Sequence, residues 1–317
     1  MNKISHQKQA RFPDFFIVGA PRCGTTSLSR YLTRNPQICF SRPKEPHYFA
    51  RIDDTPNTDE LNRDYLDRCF AHCKPQHRSL GEGSVSYIYS REAIERILHF
   101  NPDARFIVQI RNPLTMLPSY HLRMRYLLQE DQSDFVHAWR LQSARLRGEQ
   151  IPKRCFDVRV LLYKEIASYG AQLDQLFKLA GRDKTHVIAQ DDLIKDPLGV
   201  YKTTLEFLGV GYDGQTVFER RFASKLYRYL WLQQLLFAPV TKGGKVVDIL
   251  QRRARKYNED GSKRKSLLKR LASLNNVPTS PDPLTAEMTD ILRESLQPDV
   301  LHLSRLLDRD FSFWLEP

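Results

Sequence analysis

No unbroken apolar run in this 317-residue chain is long enough to span a bilayer, and Met1 to Phe12 is polar and basic, without an apolar signal-peptide core. The expectation is a cytoplasmic protein that stays where it is made. Cysteine is scarce: five residues, odd in number and scattered, which suits a reducing interior better than a disulfide framework. Internal repeats and low-complexity tracts are lacking, so a repeat array is not expected. No cluster of acids stands at metal-ligand spacing. The run Cys69-x2-His72-Cys73-x3-His77 has ligand types that suit zinc, but not a standard pairing, and Leu66, Phe70 and Cys73 share a helix face. No metal is expected.

What is present is positive charge. The net charge is +12, which calls for an anionic ligand or partner, but it is unevenly spread. From Lys242 to Arg270 there are eleven Lys/Arg against three acids, a local +8. The rest of the chain is mildly basic, which argues against nucleic-acid binding over the whole surface. At the end of that stretch and just past it, Leu267, Leu268, Leu271 and Leu274 recur at helical spacing among Lys263, Arg264, Lys265, Lys269 and Arg270. This reads as a short basic amphipathic helix, either a solvated face or a contact for an anionic acceptor or membrane surface.

The stretch from Phe15 to Leu28 organises the rest. Phe15-Phe16-Ile17-Val18 has strand length, a turn holding Gly19, Pro21 and Gly24 follows, and Leu28, Tyr31 and Leu32 repeat at helical spacing until Asn35-Pro36. Two glycines let the backbone aim its N–H groups at one point, and Thr25, Thr26 and Ser27 add hydroxyls at the positive end of the helix dipole. This is a phosphate cradle. Gly19-x4-Gly24 has the spacing of the nucleoside-triphosphate loop G-x-x-x-x-G-K-[ST], but Thr25 replaces its lysine and the cation sits inside the loop at Arg22. A triphosphate enzyme without that lysine loses its contact to the terminal phosphates, so a shorter phosphate group is expected.

Further along, Ile38-Cys39-Phe40 leads into Ser41-Arg42-Pro43-Lys44-Glu45-Pro46-His47-Tyr48-Phe49, where prolines hold the chain extended. Leu61 to Ala71 reads as a helix, and Gly81-Glu82-Gly83-Ser84 as an interruption. Arg105 to Ile110 is a strand that delivers Arg111 to its carboxyl end, before Asn112 as N-cap and Pro113 as first helical residue; Ser119 lies two turns on. An amphipathic helix is expected over Leu161 to Leu179, a strand over His186 to Ala189, and helices over Val200 to Leu208 and Thr285 to Leu307. Strands alternating with helices predict an α/β, P-loop-like three-layer fold, with a central, mostly parallel sheet flanked by helices. The expected organisation is a single domain over 1–317, with a core at about 14–215 and a helical part at 216–317. In such sheets ligands sit outside the carboxyl ends of the strands, where the loop and Arg111 would both lie.

The loop with Arg22, the Lys44-Glu45-Pro46-His47-Tyr48-Phe49 segment, and Arg111 followed by Ser119 together resemble a sulfotransferase that uses 3′-phosphoadenosine 5′-phosphosulfate (PAPS). The middle segment resembles the carbohydrate-directed branch, which includes heparan sulfate sulfotransferases and bacterial relatives. Gly81-Glu82-Gly83-Ser84-Val85-Ser86-Tyr87 and Asp192 to Val210 extend the similarity, which runs from about Asp14 to Gly211. The resemblance implies that Arg22, Cys23, Gly24, Thr25, Thr26 and Ser27 hold the 5′-phosphosulfate, and that Arg111 and Ser119 hold the 3′-phosphate. It implies Glu45 as the base that activates an acceptor hydroxyl or amine. His47 is the alternative, since histidine titrates nearest neutral pH. Lys44 is a possible second cation on the leaving group, and Glu82 is a candidate to orient the acceptor or the base. Arg22 stands where most relatives carry lysine. It can fork two phosphate oxygens but does not donate a proton at neutral pH. The acceptor implied is a carbohydrate, with a glycolipid or other amphiphile left open by the apolar run Tyr229 to Phe237. Two rivals remain: a P-loop small-molecule kinase or NTPase, and a non-catalytic binder of anionic surfaces through 242–270.

Overall fold

The structure, a computed structural model, describes residues 11–50, 59–219, 224–236 and 273–316. Its centre is a five-stranded, all-parallel sheet: β1 (Phe15–Gly19), β2 (Ile38–Phe40), β3 (Ser79–Glu82), β4 (Arg105–Ile110) and β5 (Thr185–Ala189), in the order β2-β3-β1-β4-β5. Every residue of β1 is buried, as expected for a central strand covered on both faces, and this is why it reads as one apolar run. The expected fold class holds.

From β1 the chain runs through helix α1 (Thr25–Arg34) to the edge strand β2. It returns through α2 (Asp59–Phe70) to β3, which pairs with both β2 and β1. Helix α3 (Arg91–Phe100) then carries it past β1 to β4 on the other side. The direction of winding reverses between β1 and β4. In doubly wound sheets the crevice at the carboxyl ends of such a strand pair is the ligand site.

Strand β3 is where the sequence misleads: Gly81-Glu82-Gly83-Ser84 reads as an interruption, yet Gly81 and Glu82 are the end of a buried strand, Ser79–Glu82. Its glycine is required by a neighbour, because a Cβ on Gly81 would lie 2.1 Å from Cζ of Phe15 in the adjacent strand. Helix α4 (Pro113–Tyr126) begins as expected, with Asn112 Oδ1 accepting the Leu114 N–H at 2.9 Å. The helix expected over 161–179 is broken. A 3-10 turn (Val158–Leu161), a short helix (Tyr163–Ala167) and α5 (Tyr169–Ala180) replace it. The backbone N–H groups of Gly170 and Ala171 turn to the carboxylate of the distant Asp299, at 2.9 Å each, and this cap starts a new helix after Ser168. Helix α6 (Pro197–Leu208) ends at Gly209 with φ 67°, and α7 (Ala286–Leu307) closes the chain, both as expected.

Two compact units are distinguished. Among the described residues the first comprises 11–50, 59–116, 164–219 and 290–316, and the second 117–163, 224–236 and 273–289. The C-terminal residues belong with the first because Trp314 is tied into it: its indole N–H donates to Asp191 at 3.0 Å, and its carbonyl accepts from Asn112 Nδ2 at 3.1 Å. The second unit has its own antiparallel strand pair, β6 (Ser224–Tyr227) with β7 (Asn276–Thr279). It also has a fully buried ion pair in which Arg145 forks Glu130 at 2.7 and 2.8 Å. The basic stretch 242–270 lies outside the described residues, as does its expected helix up to residue 272. No described helix is long and apolar enough to cross a membrane. Against the expectation drawn from cysteine usage, Cys39 and Cys73 form a disulfide, while Cys23, Cys69 and Cys155 take part in none.

Candidate active site

The loop between β1 and α1 folds as a cradle. Gly24 takes φ 95° at the N-cap of α1, a left-handed conformation that glycine adopts without steric cost, and Arg22 is held at φ 64°. The first turn of α1 presents the N–H groups of Thr25 and Thr26 at the positive end of the helix dipole, while the Ser27 N–H is turned to the Gly24 carbonyl at 2.9 Å. Cys23 differs from the reading that gave it a place against the phosphate. Its N–H turns back to the Ala20 carbonyl at 3.3 Å, and its thiol is buried, donating to Pro21 O at 3.4 Å with Tyr169 Oη 3.5 Å away. Burial pushes that thiol up to about 12, so it is no nucleophile. Cys23 shapes the loop from below.

Arg111 comes off the end of β4 directly beside this loop. Its Nη1 donates to the carbonyl of Arg22 at 3.3 Å, and its Nε to Thr115 Oγ1 at 3.0 Å. A guanidinium is thereby fixed at the β1/β4 reversal. Ser119 is buried two turns into α4, in the second unit.

The Lys44 to His47 segment leaves the carboxyl end of β2 and runs alongside the extension of β3. Ser41 N donates to Gly81 O at 2.8 Å, Gly83 N to Lys44 O at 3.2 Å, and His47 N to Ser84 Oγ at 3.0 Å. So held, the segment brings Lys44, Glu45 and His47 together. The Lys44 ammonium lies 2.7 Å from Glu45 Oε1, 3.2 Å from Gly83 O and 3.5 Å from Thr25 Oγ1. His47 Nε2 is 3.6 Å from Glu45 Oε2, and its Nδ1 is 2.7 Å from Ser86 Oγ. Burial alone pushes the Glu45 carboxyl up, but His47 and the Lys44 ammonium outweigh it, and the pKa falls to about 2. Glu45 is a carboxylate at every working pH.

Glu82 is not where an acceptor-binding residue belongs. It is 0% exposed, with Oε1 accepting from Ser84 Oγ at 2.6 Å and Oε2 from Tyr65 Oη at 2.5 Å. Burial, the largest influence, raises its pKa against the pull of these bonds and of Tyr87. Its chemistry is positional: it fixes Ser84, which fixes the backbone of His47. Tyr65 and Ser86 were not singled out by sequence. Ser86 sits in the Gly81–Tyr87 motif and carried a weak signal, whereas Tyr65 comes from α2 and carried none. Replacing Glu82 by leucine should destabilise the fold by about 3 kcal/mol, because two buried hydroxyls lose their acceptor. Chemical denaturation of the Glu82→Leu and Glu82→Gln proteins checks this, with glutamine the milder of the two.

The sulfotransferase domain family matches residues 12–222, two thirds of the chain and every part of the site in the first unit. The chain belongs to the sulfotransferase family. Within that family it is 26% identical over 210 residues to human heparan sulfate glucosamine 3-O-sulfotransferase 6, a match spanning 63% of this chain and 53% of that protein. It is 29% identical over 161 residues to human carbohydrate sulfotransferase 15, spanning 37% of this chain and 29% of the relative. The chain thus spans about half the length of the first relative and under a third of the second. The crystal structure of a sulfotransferase from Alicyclobacillus acidocaldarius superposes with a TM-score of 0.64 at 25% identity, covering 96% of this chain and 99% of that one. The described part of this chain thus shares the P-loop-like sulfotransferase fold. The matched span contains both the loop of residues 19–27 and the Lys44-Glu45 pair, which meet where Lys44 Nζ lies 3.5 Å from Thr25 Oγ1.

Proposed function

We propose that this sulfotransferase moves the sulfuryl group of PAPS to a hydroxyl or amine of a carbohydrate acceptor, releasing adenosine 3′,5′-bisphosphate. The observation that carries the reading is the position of one ammonium. Lys44 stands between Glu45, the proposed base, and Thr25 at the phosphate cradle, so leaving-group cation and base are neighbours across the loop. Arg22 and the first turn of α1 hold the 5′-phosphosulfate, and Arg111 meets the 3′-phosphate. Ser119 is assigned to that phosphate by the motif alone.

In the proposed step the acceptor oxygen attacks sulfur in line with the bridging oxygen. The new S–O bond forms as the old one breaks, the electron pair stays on the bisphosphate, and the acceptor proton passes to Glu45. A carboxylate with a pKa near 2 is a weak base at rest. As charge grows on the leaving phosphate, Lys44 turns to it. Glu45 thereby loses its nearest cation and keeps only His47, so its proton affinity rises while the acceptor oxygen becomes acidic. Base strength is thus tied to leaving-group departure. Arg22 stabilises the departing phosphate without protonating it. No metal is required by this scheme.

Tyr229, Leu230 and Trp231, exposed by 52, 47 and 66%, favour a glycolipid or similar amphiphile as a second acceptor reading. The basic stretch 242–270 is assigned to acceptor or membrane-surface contact on charge alone.

Adenosine 3′,5′-bisphosphate without Mg²⁺ at a hundred times its Kd should raise the melting temperature by roughly 5 °C. ATP with Mg²⁺ should leave it unchanged. The opposite pattern contradicts the reading and restores the kinase alternative.

A further inference from the structure

The Cys39–Cys73 bond lies outside the chemistry just described, yet the 34-residue span it closes contains Lys44, Glu45 and His47. Cys39 is the middle residue of β2, one residue before the strand ends at Phe40, and Cys73 follows α2. Their Cα atoms are 5.7 Å apart. Next to them Arg42 N donates to the carbonyl of Cys69 at 3.0 Å. The segment that carries the proposed base is therefore held from two sides: by β3 and its extension through Ser41, Lys44 and His47, and by the end of α2 through the disulfide and Arg42.

Two features mark the bond as exchangeable. Cys39 is buried while Cys73 and His72 are partly exposed, so an incoming thiolate meets Cys73 first and Cys39 is the leaving sulfur. His72 Nε2 lies 3.5 Å from Cys39 Sγ and 3.1 Å from the Phe40 carbonyl, so an N–H there has the departing thiolate within reach. We propose that Cys39 and Cys73 are a reversible thiol–disulfide site for low-molecular-weight thiols, and that its state sets how firmly residues 41–49 are held. In reduction a thiolate RS⁻ attacks Cys73 Sγ, the S–S bond breaks, and Cys39 leaves as a thiolate that picks up a proton. A second RS⁻ attacks the mixed disulfide, releasing RSSR and the Cys73 thiolate, which is protonated in turn. Two RSH are consumed, two cysteine thiols appear, and RSSR runs the reaction backwards. The same three side chains place a metal-sized cluster of ligand atoms within 4.8 Å of one another. A bound zinc needs both sulfurs as separate thiolates, so metal and bond exclude each other.

The proposal rests on the sulfuryl-transfer reading for the role of the segment, and its test keeps the two apart. Protein purified without reductant is mapped for disulfides by mass spectrometry and assayed for zinc. Amide exchange is then followed with and without a phosphine reductant, and in the Cys73→Ser variant. The site predicts a Cys39–Cys73 bond, no zinc, and roughly tenfold faster exchange at residues 41–49 on reduction. Exchange at residues 20–28 and the thermal shift given by adenosine 3′,5′-bisphosphate should be unaltered. Five free thiols, stoichiometric zinc or unchanged exchange at 41–49 overturns it, as does acceleration of both peptides together, which marks a global staple. Absence of the bisphosphate shift in the oxidised protein counts against sulfuryl transfer and leaves the exchange result to decide the redox site.

Discussion

Glu45→Gln should reduce transfer by 10²- to 10⁴-fold, roughly the contribution of a positioned general base, while adenosine 3′,5′-bisphosphate binds as before. Glutamine keeps the shape and can still take a hydrogen bond from Lys44, but it has no charge and does not accept the acceptor's proton. The substitution leaves the cradle at residues 19–27 and Arg111 untouched, so nucleotide affinity is the internal control. Steady-state kinetics with labelled PAPS, beside calorimetric titration of the bisphosphate, measure both. Retained activity moves the base to His47, whose Nε2 is 3.6 Å from the same carboxylate. The ionised carboxylate also bears on stability. Its folded pKa, about 2, lies below the ordinary 4.5, so its stabilising contribution is present above pH 4.5 and lost as pH falls towards 2.

Lys44→Met should cost 10²- to 10³-fold in kcat, roughly what one charge-stabilising donor is worth in a transition state. It should also leave a second mark. The ammonium is one of the groups that hold Glu45 near a pKa of 2, so without it the carboxyl rises towards 4.5. The acid limb of the pH–rate profile should move to higher pH. A variant that loses rate with no movement of that limb shows that Lys44 acts on the leaving group without coupling to Glu45. Lys44→Arg, which restores charge but not the compact ammonium, should recover part of the rate.

What could be read in advance was local. β1, the loop and α1 declare themselves through an apolar run, two glycines and a helical repeat within the eighteen residues from Phe15 to Leu32. Arg111-Asn112-Pro113 is legible because cap chemistry is set by adjacent residues. β3 was hidden because its character comes from its neighbours: Gly81 is there for the Phe15 ring, and Glu82 for a tyrosine seventeen positions earlier. The break at Ser168 was hidden for a similar reason, since its cap, Asp299, comes from α7. In the site, the residue types at 22, 44, 45, 47 and 111 were visible. The pairings that make them chemistry, Lys44 with Thr25 and His47 with Ser86, span 19 and 39 residues and exist in the fold alone. Cys39 and Cys73 are the same case, a pair that composition argued against and β2 brings together with the end of α2.

The most direct measurement is the fate of labelled sulfur. The protein is incubated with PAPS carrying radioactive sulfur and with separated polysaccharide and glycolipid fractions, without Mg²⁺. Label should appear in one of these fractions in equal amount to the bisphosphate released, and Glu45→Gln should remove both. If PAPS is left intact while the γ-phosphate of ATP is passed to either fraction, the assignment of sulfuryl transfer is wrong.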